Sequence, residues 1–362
     1  MAAHFHPLSV KRVTPDAAGS AAITLAVPDA LRGQFDFRPG QFVTLRAVID
    51  GEDTRRSYSI CSPHQRYTAQ GEFDVGIKPV EGGRFSRWAA NELREGDVLD
   101  VMPPDGRFTP HDPQARHRVG FAAGSGITPI LSIIATTLAD EPESRFTLAY
   151  CNQRANTIMF NEALQDLKDR YPARLTLIHL LSRQPQEVQL FHGRLDEAKV
   201  SELLEALIPP ASIDEAFICG PEAMIEGAER ALKNAGVPAE RVHAERFASP
   251  GDPTSARHRV VPEARVHGAH THQLDIVLDG KTHHLGMAAD DRVLDAALDA
   301  GLDLPYSCKG GVCCTCRARV LEGKVEMEKN FTLEQWEMDK GFVLTCQSRP
   351  LTAKVVVSYD ER

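Results

Sequence analysis

Four cysteines near the C-terminus are spaced for metal–sulfur chemistry. Cys308, Cys313 and Cys316 run as C-x4-C-x2-C, and Cys346 follows after 29 intervening residues. Such spacing suits a [2Fe–2S] cluster, in which one loop wraps two irons and a distant thiolate closes the site. Gly310 and Gly311 let the backbone approach the sulfides closely enough for N–H groups to stabilise the cluster's negative charge. Tetrahedral zinc is the alternative, but zinc sites usually take two tight cysteine pairs, whereas here one loop carries three and the fourth is remote. Cys314, between two ligands, reads as a small buried residue. The remaining thiols, Cys61, Cys151 and Cys219, stand alone. Disulfide stapling would be odd in so long a chain without a secretory signal.

An iron–sulfur centre takes one electron, while a nicotinamide gives up a hydride carrying two. A flavin between them resolves the mismatch, so flavin and dinucleotide sites are both expected upstream. In Arg55-Arg56-Ser57-Tyr58-Ser59, Arg56 can pair with a flavin pyrophosphate, Tyr58 can pack on the isoalloxazine, and Ser59 can hydrogen-bond near N5. An ordinary strand with an exposed Arg and a buried Tyr would also read this way. The run from Lys78 through Gly83 to Ser86 opens a helix whose backbone N–H groups suit a second pyrophosphate contact.

Gly124-Ser125-Gly126-Ile127-Thr128-Pro129 follows one strand and precedes a helix, so Gly124, Gly126 and Thr128 are candidates for a dinucleotide phosphate. Cys219-Gly220-Pro221 ends a later strand, at the sheet edge where nicotinamide would lie. There Cys219 reads as a small polarizable neighbour, or as a buried apolar cysteine. Ser182 and Arg183, helped by Arg154, can grip the 2′-phosphate of NADPH, and no acidic residue follows Leu181 to select NADH. NADH stays the alternative. The histidines 267, 270 and 272 could bind metal, but solvated linker histidines explain them more simply.

The elements that must position these groups fall into three grammars. Residues 1–112 alternate as strands, for example over 41–45 and 72–77, with turns such as 94–97; this reads as an antiparallel β-barrel. Residues 113–248 alternate strand and helix: strands at 119–123, 146–150, 175–180 and 216–219, and helices at 127–138, 159–169, 196–207 and 222–235. That is a parallel sheet in an α/β domain, with ligands at its carboxyl edge. The Pro-, Arg- and His-rich stretch 249–271 reads as a linker. Beyond it, 272–278 reads as a strand, Asp279-Gly280 as a tight turn and 292–300 as a helix, inside a C-terminal domain at 272–362.

Bulk composition fits this reading. The chain has 362 residues, 42% hydrophobic and 25% charged, which suggests more than one domain. A net charge of -9 and a pI near 5.9 argue against a nucleic-acid backbone binder. No apolar run reaches bilayer length and the first residues lack an apolar signal core, so no membrane association and a cytoplasmic location are expected.

Arg56-x-Tyr58-Ser59, the glycine loop 124–129 and Cys219-Gly220-Pro221 together resemble the ferredoxin–NADP reductase family. Joined to the C-terminal cysteines, and with Leu190 to Asp196 and His243-x-Glu245-Arg246-Phe247, the pattern is more narrowly similar to the reductase subunits of phenylacetyl-CoA epoxidases. The resemblance runs through nearly the whole chain. It implies a six-stranded flavin-binding barrel, a nucleotide-binding α/β domain and an α+β β-grasp ferredoxin domain with a plant-type cluster. It also implies FAD rather than FMN, Cys308 and Cys313 on one iron with Cys316 and Cys346 on the other, and Glu245 and Phe247 at the flavin–nicotinamide junction. Ser59, Cys219 and Glu245 would then be the catalytic group. The implied partner is a di-iron oxygenase component that epoxidises the aromatic ring of phenylacetyl-CoA. Cys151 departs from the glycine that the pattern carries after Tyr150. Two other readings stand beside this one. An NADH-dependent reductase of a Rieske dioxygenase or steroid hydroxylase would show strong NADH preference. A non-enzymatic iron–sulfur carrier or scaffold would leave its flavin unreduced by either nucleotide.

Overall fold

The structure, a computed structural model, describes residues 4–247 and 271–361. By compactness they form two units. One comprises Pro7–Val43 and Tyr58–Phe247, the other residues 4–6, 44–57 and 271–361. Apart from Thr271, the expected linker lies outside the described residues, as do His267 and His270. His272 opens a strand, with Nδ1 2.9 Å from Thr271 Oγ1.

The first sheet is built from β1 (His6–Pro15), β2 (Ala21–Ala26), β3 (Phe42–Ile49), β4 (Glu52–Ser59), β5 (Glu72–Ile77) and β6 (Val98–Val101), in the order β4-β3-β6-β1-β2-β5. Alternating residues such as Leu8 and Val10, Ile23 and Leu25, and Phe73, Val75 and Ile77 are fully enclosed, as the two-residue period of a strand requires. An isolated antiparallel bridge between Ile60 and Val75 joins the end of β4 to β5 and curls the sheet into a barrel. Two helices lie in this region, α1 (His64–Gln70) and α2 (Arg84–Asn91). The first is not evident from periodicity; it starts after Pro63 and stops at Gly71, which takes the left-handed conformation that glycine tolerates.

Next come β7 (His117–Ala123), α3 (Ile127–Asp140), β8 (Arg145–Asn152), α4 (Asn161–Arg170), β9 (Leu175–Leu181), α5 (Glu197–Ala206), β10 (Glu215–Gly220), α6 (Glu222–Asn234) and β11 (Val242–Arg246). The strands pair in parallel in the order β11-β10-β7-β8-β9. Both faces are covered, which is why these strands read as near-continuous apolar runs. Val119, Phe121, Ala216 and Ile218 pack with residues of α5 and α6, while Ala122, Phe217 and Cys219 pack with Ile127, Ile130 and Ile134 of α3. The chain reverses direction across the sheet between β7 and β10, so the crevice for a ligand opens at their carboxyl ends.

The amino ends of the same strands are tied by a buried ion pair. Arg118 donates to Glu215 at 2.8 Å and to Glu141 at 2.5 Å. Glu215 also accepts the amides of His111 and Asp112, and His243 lies 3.5 Å away. Burial alone would raise this carboxyl, but the surrounding donors hold it down at about 2. The grouping of His111, Glu215 and His243 is therefore a strand clamp, remote along β10 from Cys219.

The C-terminal fold contains β12 (His272–Leu278), β13 (Lys281–Met287), α7 (Val293–Asp299), β14 (Arg317–Glu322), β15 (Val325–Met327), α8 (Gln335–Asp339), β16 (Phe342–Leu344), β17 (Ser348–Pro350) and β18 (Lys354–Ser358). Its main sheet is mixed, in the order β13-β12-β18-β14-β16, with β12 and β18 parallel. Asp279 and Gly280 both have positive φ, the conformation of a two-residue hairpin turn. Leu294 and Ala297 of α7 pack with Leu274, Ile276, Val355 and Val357 of the sheet.

Replacing Arg118 with Met leaves Glu215 buried without its cation, and is expected to cost about 3–5 kcal/mol of stability. Urea unfolding followed by far-UV circular dichroism measures this. Arg118→Met combined with Glu215→Gln should recover part of the loss, whereas equal loss in single and double variants would contradict the clamp.

Candidate functional site

The glycine loop lies where β7 ends. Gly124 has φ +53, and a Cβ placed on Gly126 would come 2.0 Å from the Cys219 carbonyl oxygen. Only glycine permits the loop to press onto the end of β10 in this way. Thr128 is buried in the first turn of α3 and donates to Ser125 O at 3.0 Å, while Tyr150 donates to Gly124 O at 2.8 Å. The sequence did not single out Gly76 of β5. A Cβ there would meet Thr128 at 2.6 Å and Phe160 at 2.9 Å, so this glycine lets the barrel strand approach the start of α3. A glycine interrupting a strand pattern is the signal that could have found it.

Cys219 and Glu245 are direct neighbours in the parallel register of β10 and β11. The Ser59 hydroxyl donates to Glu245 Oε2 at 3.4 Å, so the structure brings Ser59, Cys219 and Glu245 together. Cys219 is fully buried; burial, and secondarily the Glu245 carboxylate, push its thiol well above its usual range. It is a neutral thiol at neutral pH, not a thiolate nucleophile. Glu245 keeps some surface exposure as a residue, but its carboxyl group is enclosed by protein. Burial pushes it up to about 8, opposed only by the hydrogen bond from Ser59. Phe247, by contrast, is exposed.

Lys78 follows β5, and its ammonium lies 3.7 Å from where a Gly124 side chain would begin, so a cation faces the open cradle of the glycine loop. That pairing of a cation with a bare glycine backbone fits a phosphate. Gly83 precedes α2; its N–H goes to Val80 O at 3.0 Å, and the buried Ser86 hydroxyl accepts from Val80 N at 3.3 Å. The Tyr58 ring is 5.6 Å from Phe85. Arg56 donates to its neighbour Arg55 O at 2.7 Å. Arg154 follows β8 and Ser182 and Arg183 follow β9; Ser182 N and Arg183 N bond to Asn152 O and Gln153 O, which joins these two strand ends. Cys151 is buried, with its thiol 3.7 Å from Gly193 O.

In the other unit, Cys308, Cys313, Cys316 and Cys346 are free, buried thiols. The thiol of Cys308 neighbours that of Cys313, and the thiol of Cys316 neighbours that of Cys346. Gly310 N donates to Cys308 Sγ at 3.3 Å. Gly311 has φ +79 and leaves room beside Lys329 O that a side chain would take. Four converging thiols served by backbone N–H groups fit a [2Fe–2S] cluster. Cys314 differs from the sequence expectation. It is half-buried at φ +54, its thiol 2.9 Å from Thr332 Oγ1, because the loop must turn sharply between two ligands.

Three domain families match the chain in order: the oxidoreductase FAD-binding domain over residues 11–109, the oxidoreductase NAD-binding domain over 121–230, and the 2Fe-2S iron-sulfur cluster binding domain over 276–351. A 1,2-phenylacetyl-CoA epoxidase component of Escherichia coli K12 is 47% identical over 99% of this chain and 98% of its own length. The chain belongs to the ferredoxin–NADP reductase family, with a fused 2Fe-2S domain. As a member it is an NAD(P)H-dependent electron-transfer reductase. The ferredoxin reductase component of the 3-ketosteroid-9-alpha-monooxygenase of Rhodococcus rhodochrous is 36% identical over 97% of this chain and 96% of its own. Phthalate dioxygenase reductase shares the fold, with a TM-score of 0.61 at 21% identity and 98% coverage of each chain. No helix among the described residues is long and apolar enough to cross a membrane.

The Glu245 carboxyl yields a pH prediction for the flavin-free protein. Unfolded, it ionises near 4.5; folded, it keeps its proton to about 8. Between those values the unfolded state binds fewer protons, so this group's contribution to stability falls as pH rises and is flat above the window. Glu245→Gln should therefore gain on the native protein by a few kcal/mol, on the order of the shift, between about pH 5 and about pH 8. Urea titrations at the two pH values measure the difference, and a pH-independent difference would contradict the assignment.

Proposed function

We propose that this chain oxidises NADPH at the Ser59–Cys219–Glu245 group and delivers electrons, one at a time, to a di-iron oxygenase that epoxidises phenylacetyl-CoA. The observation that carries the reading is the convergence of Ser59 and Glu245 beside Cys219 at the carboxyl end of β10, in a chain that also holds four converging cysteine thiols. When bound, FAD supplies the conversion of a two-electron donor into a one-electron one.

The residues divide the work by position. Gly124, Gly126, Thr128 and Lys78 would hold dinucleotide or flavin phosphates at the loop and helix start. Arg56, Tyr58, Gly83 and Ser86 would seat FAD. Cys219, small and uncharged, leaves space for the nicotinamide without competing for it as a nucleophile. Ser59 and Glu245 would exchange a proton at the flavin edge, because the carboxyl remains protonated at neutral pH and has the hydroxyl as its hydrogen-bond partner. Arg154, Ser182 and Arg183 would grip the 2′-phosphate; two guanidinium groups and a hydroxyl at adjacent strand ends support NADPH over NADH. Cys308, Cys313, Cys316 and Cys346 would hold the cluster, Cys308 with Cys313 on one iron and Cys316 with Cys346 on the other, a pairing supported by the neighbouring placement of the two thiols in each pair. We place domain boundaries at 1–112, 113–248 and 272–362, joined through 249–271; the three family matches each fall inside one of these domains.

The likeness over the full length to the Rhodococcus steroid monooxygenase component favours a second reading, an NADH-dependent reductase for another oxygenase class. Anaerobic titration of the holoprotein with each nucleotide separates them. NADPH should bleach the flavin and then raise a [2Fe–2S] signal in low-temperature EPR, while strong preference for NADH would favour the second reading. Bleaching by neither nucleotide would overturn the reductase assignment. Arg183→Ala should raise the KM for NADPH about tenfold and leave that for NADH within about twofold, since a single charged contact to phosphate is lost. An equal effect on both nucleotides would remove Arg183 from 2′-phosphate recognition.

A further inference from the structure

Residue Arg55 has no place in the flavin site, yet it is more deeply buried than any residue around it that carries charge. Its side chain is only 4% exposed, against 29% for Asp53 and 66% for Asp303. Within the unit formed by residues 4–6, 44–57 and 271–361, its guanidinium uses its fork of donors on the loop that leads into the cluster cysteines. Nη1 donates to Leu304 O at 3.1 Å and Nη2 to Asp303 Oδ1 at 2.7 Å, while Asp53 Oδ2 accepts from Nη2 at 2.9 Å. The same group lies over the Tyr306 ring at 4.4 Å and the Phe5 ring at 5.0 Å. Two residues further along β4, Ser57 donates to Ser307 Oγ at 2.8 Å, and Ser307 immediately precedes Cys308.

Strand alternation gives these contacts their meaning. Arg55 and Ser57 point to one face of β4 and Arg56 and Tyr58 to the other. One face of the segment 52–57 thus holds residues 303–307, while its opposite face presents Arg56, assigned above to the flavin. Fixing the backbone of β4 fixes both. A planar guanidinium suits this task because it satisfies a carboxylate, a carbonyl and an aromatic face at once, which an ammonium on a flexible stem cannot. Burial of the cation makes its partners consequential, since an unpaired buried charge is strongly unfavourable.

We propose that Arg55 is a positioning residue for electron entry into the cluster: it anchors the 303–307 loop, and through it Cys308, to the segment 52–57 of β4, which carries Arg56. The inference rests on the reading of Arg56 as a flavin residue and of Cys308 as a cluster ligand. When bound, FAD and the cluster would pass the two electrons of one NADPH singly, so two passages would discharge one NADPH. Arg55 exchanges neither electron nor proton; it sets where the ligand loop lies.

The test uses the full-length holoprotein carrying Arg55→Ala, Arg55→Lys or Asp303→Asn. Flavin content and the rate of flavin bleaching by NADPH report on the flavin reading, and cluster reduction reports on the anchor. In Arg55→Ala, bleaching should stay within about twofold of the native rate while cluster reduction, followed by rapid-freeze EPR, slows about tenfold or more. Arg55→Lys should recover part of that loss. Hydrogen exchange supplies a readout independent of turnover: amides of the 303–307 loop should exchange about tenfold faster, with those of β7 unchanged. Asp303→Asn, at an exposed position, should show the same pattern at about threefold, and decides the matter where Arg55→Ala fails to retain its cofactors. Native rates of cluster reduction, equal slowing of both steps, or unchanged exchange in the loop would each overturn the proposal.

Discussion

The approach of Gly126 to the end of β10 constrains the whole carboxyl edge of the parallel sheet. With the Cys219 carbonyl 2.0 Å from where a side chain would start, no other residue type fits without moving a strand of the parallel sheet. The contact locks the glycine loop after β7 to Cys219. The register of β10 with β11 then places Glu245 beside Cys219, and Ser59 reaches Glu245 from the barrel. A single backbone contact and a strand register thus gather residues separated by up to 186 positions in the chain. Gly76 has a matching role in β5, where the absence of a side chain admits Thr128 and Phe160.

Much of this arrangement was readable from the sequence, for physical reasons that differ by region. The parallel strands are buried on both faces and so announce themselves as apolar runs; the strands expected at 119–123 and 146–150 extend by one or two residues at their ends and no more. The strand 72–77 and the strand 272–278 have the expected limits because turn residues bound them. The cysteine spacing needed no fold at all, since its chemistry is local.

Other features depend on partners that periodicity does not name. Arg55 in sequence is one of two adjacent arginines on a strand, and nothing local distinguishes the half-buried member from the buried one. Its partners, Asp303 and Leu304, lie 248 and 249 residues away. The helix α1 is too short for its pattern to stand out between Pro63 and Gly71. Cys314 looked like a small buried residue because its neighbours are ligands. The loop geometry instead puts it at positive φ and half in solvent, next to Thr332. Phe247 could have been a core aromatic, yet it follows the edge strand β11 and is exposed.

Two glutamates of the parallel sheet show how the same side chain takes opposite states. Both pay for burial, which favours the protonated form. At the amino end of β10, Glu215 meets Arg118, two backbone amides and a histidine, and the sum of these donors keeps it ionised. At the carboxyl end of β11, Glu245 has one hydroxyl as donor and remains protonated into the neutral range. An ionised carboxylate held by several donors has no capacity left for chemistry and serves to fasten strands. A protonated one with a single weak partner can both give and take a proton. The difference in donor count, set by which strand end each residue occupies, therefore separates the end of the sheet fastened by an ion pair from the end proposed for proton exchange.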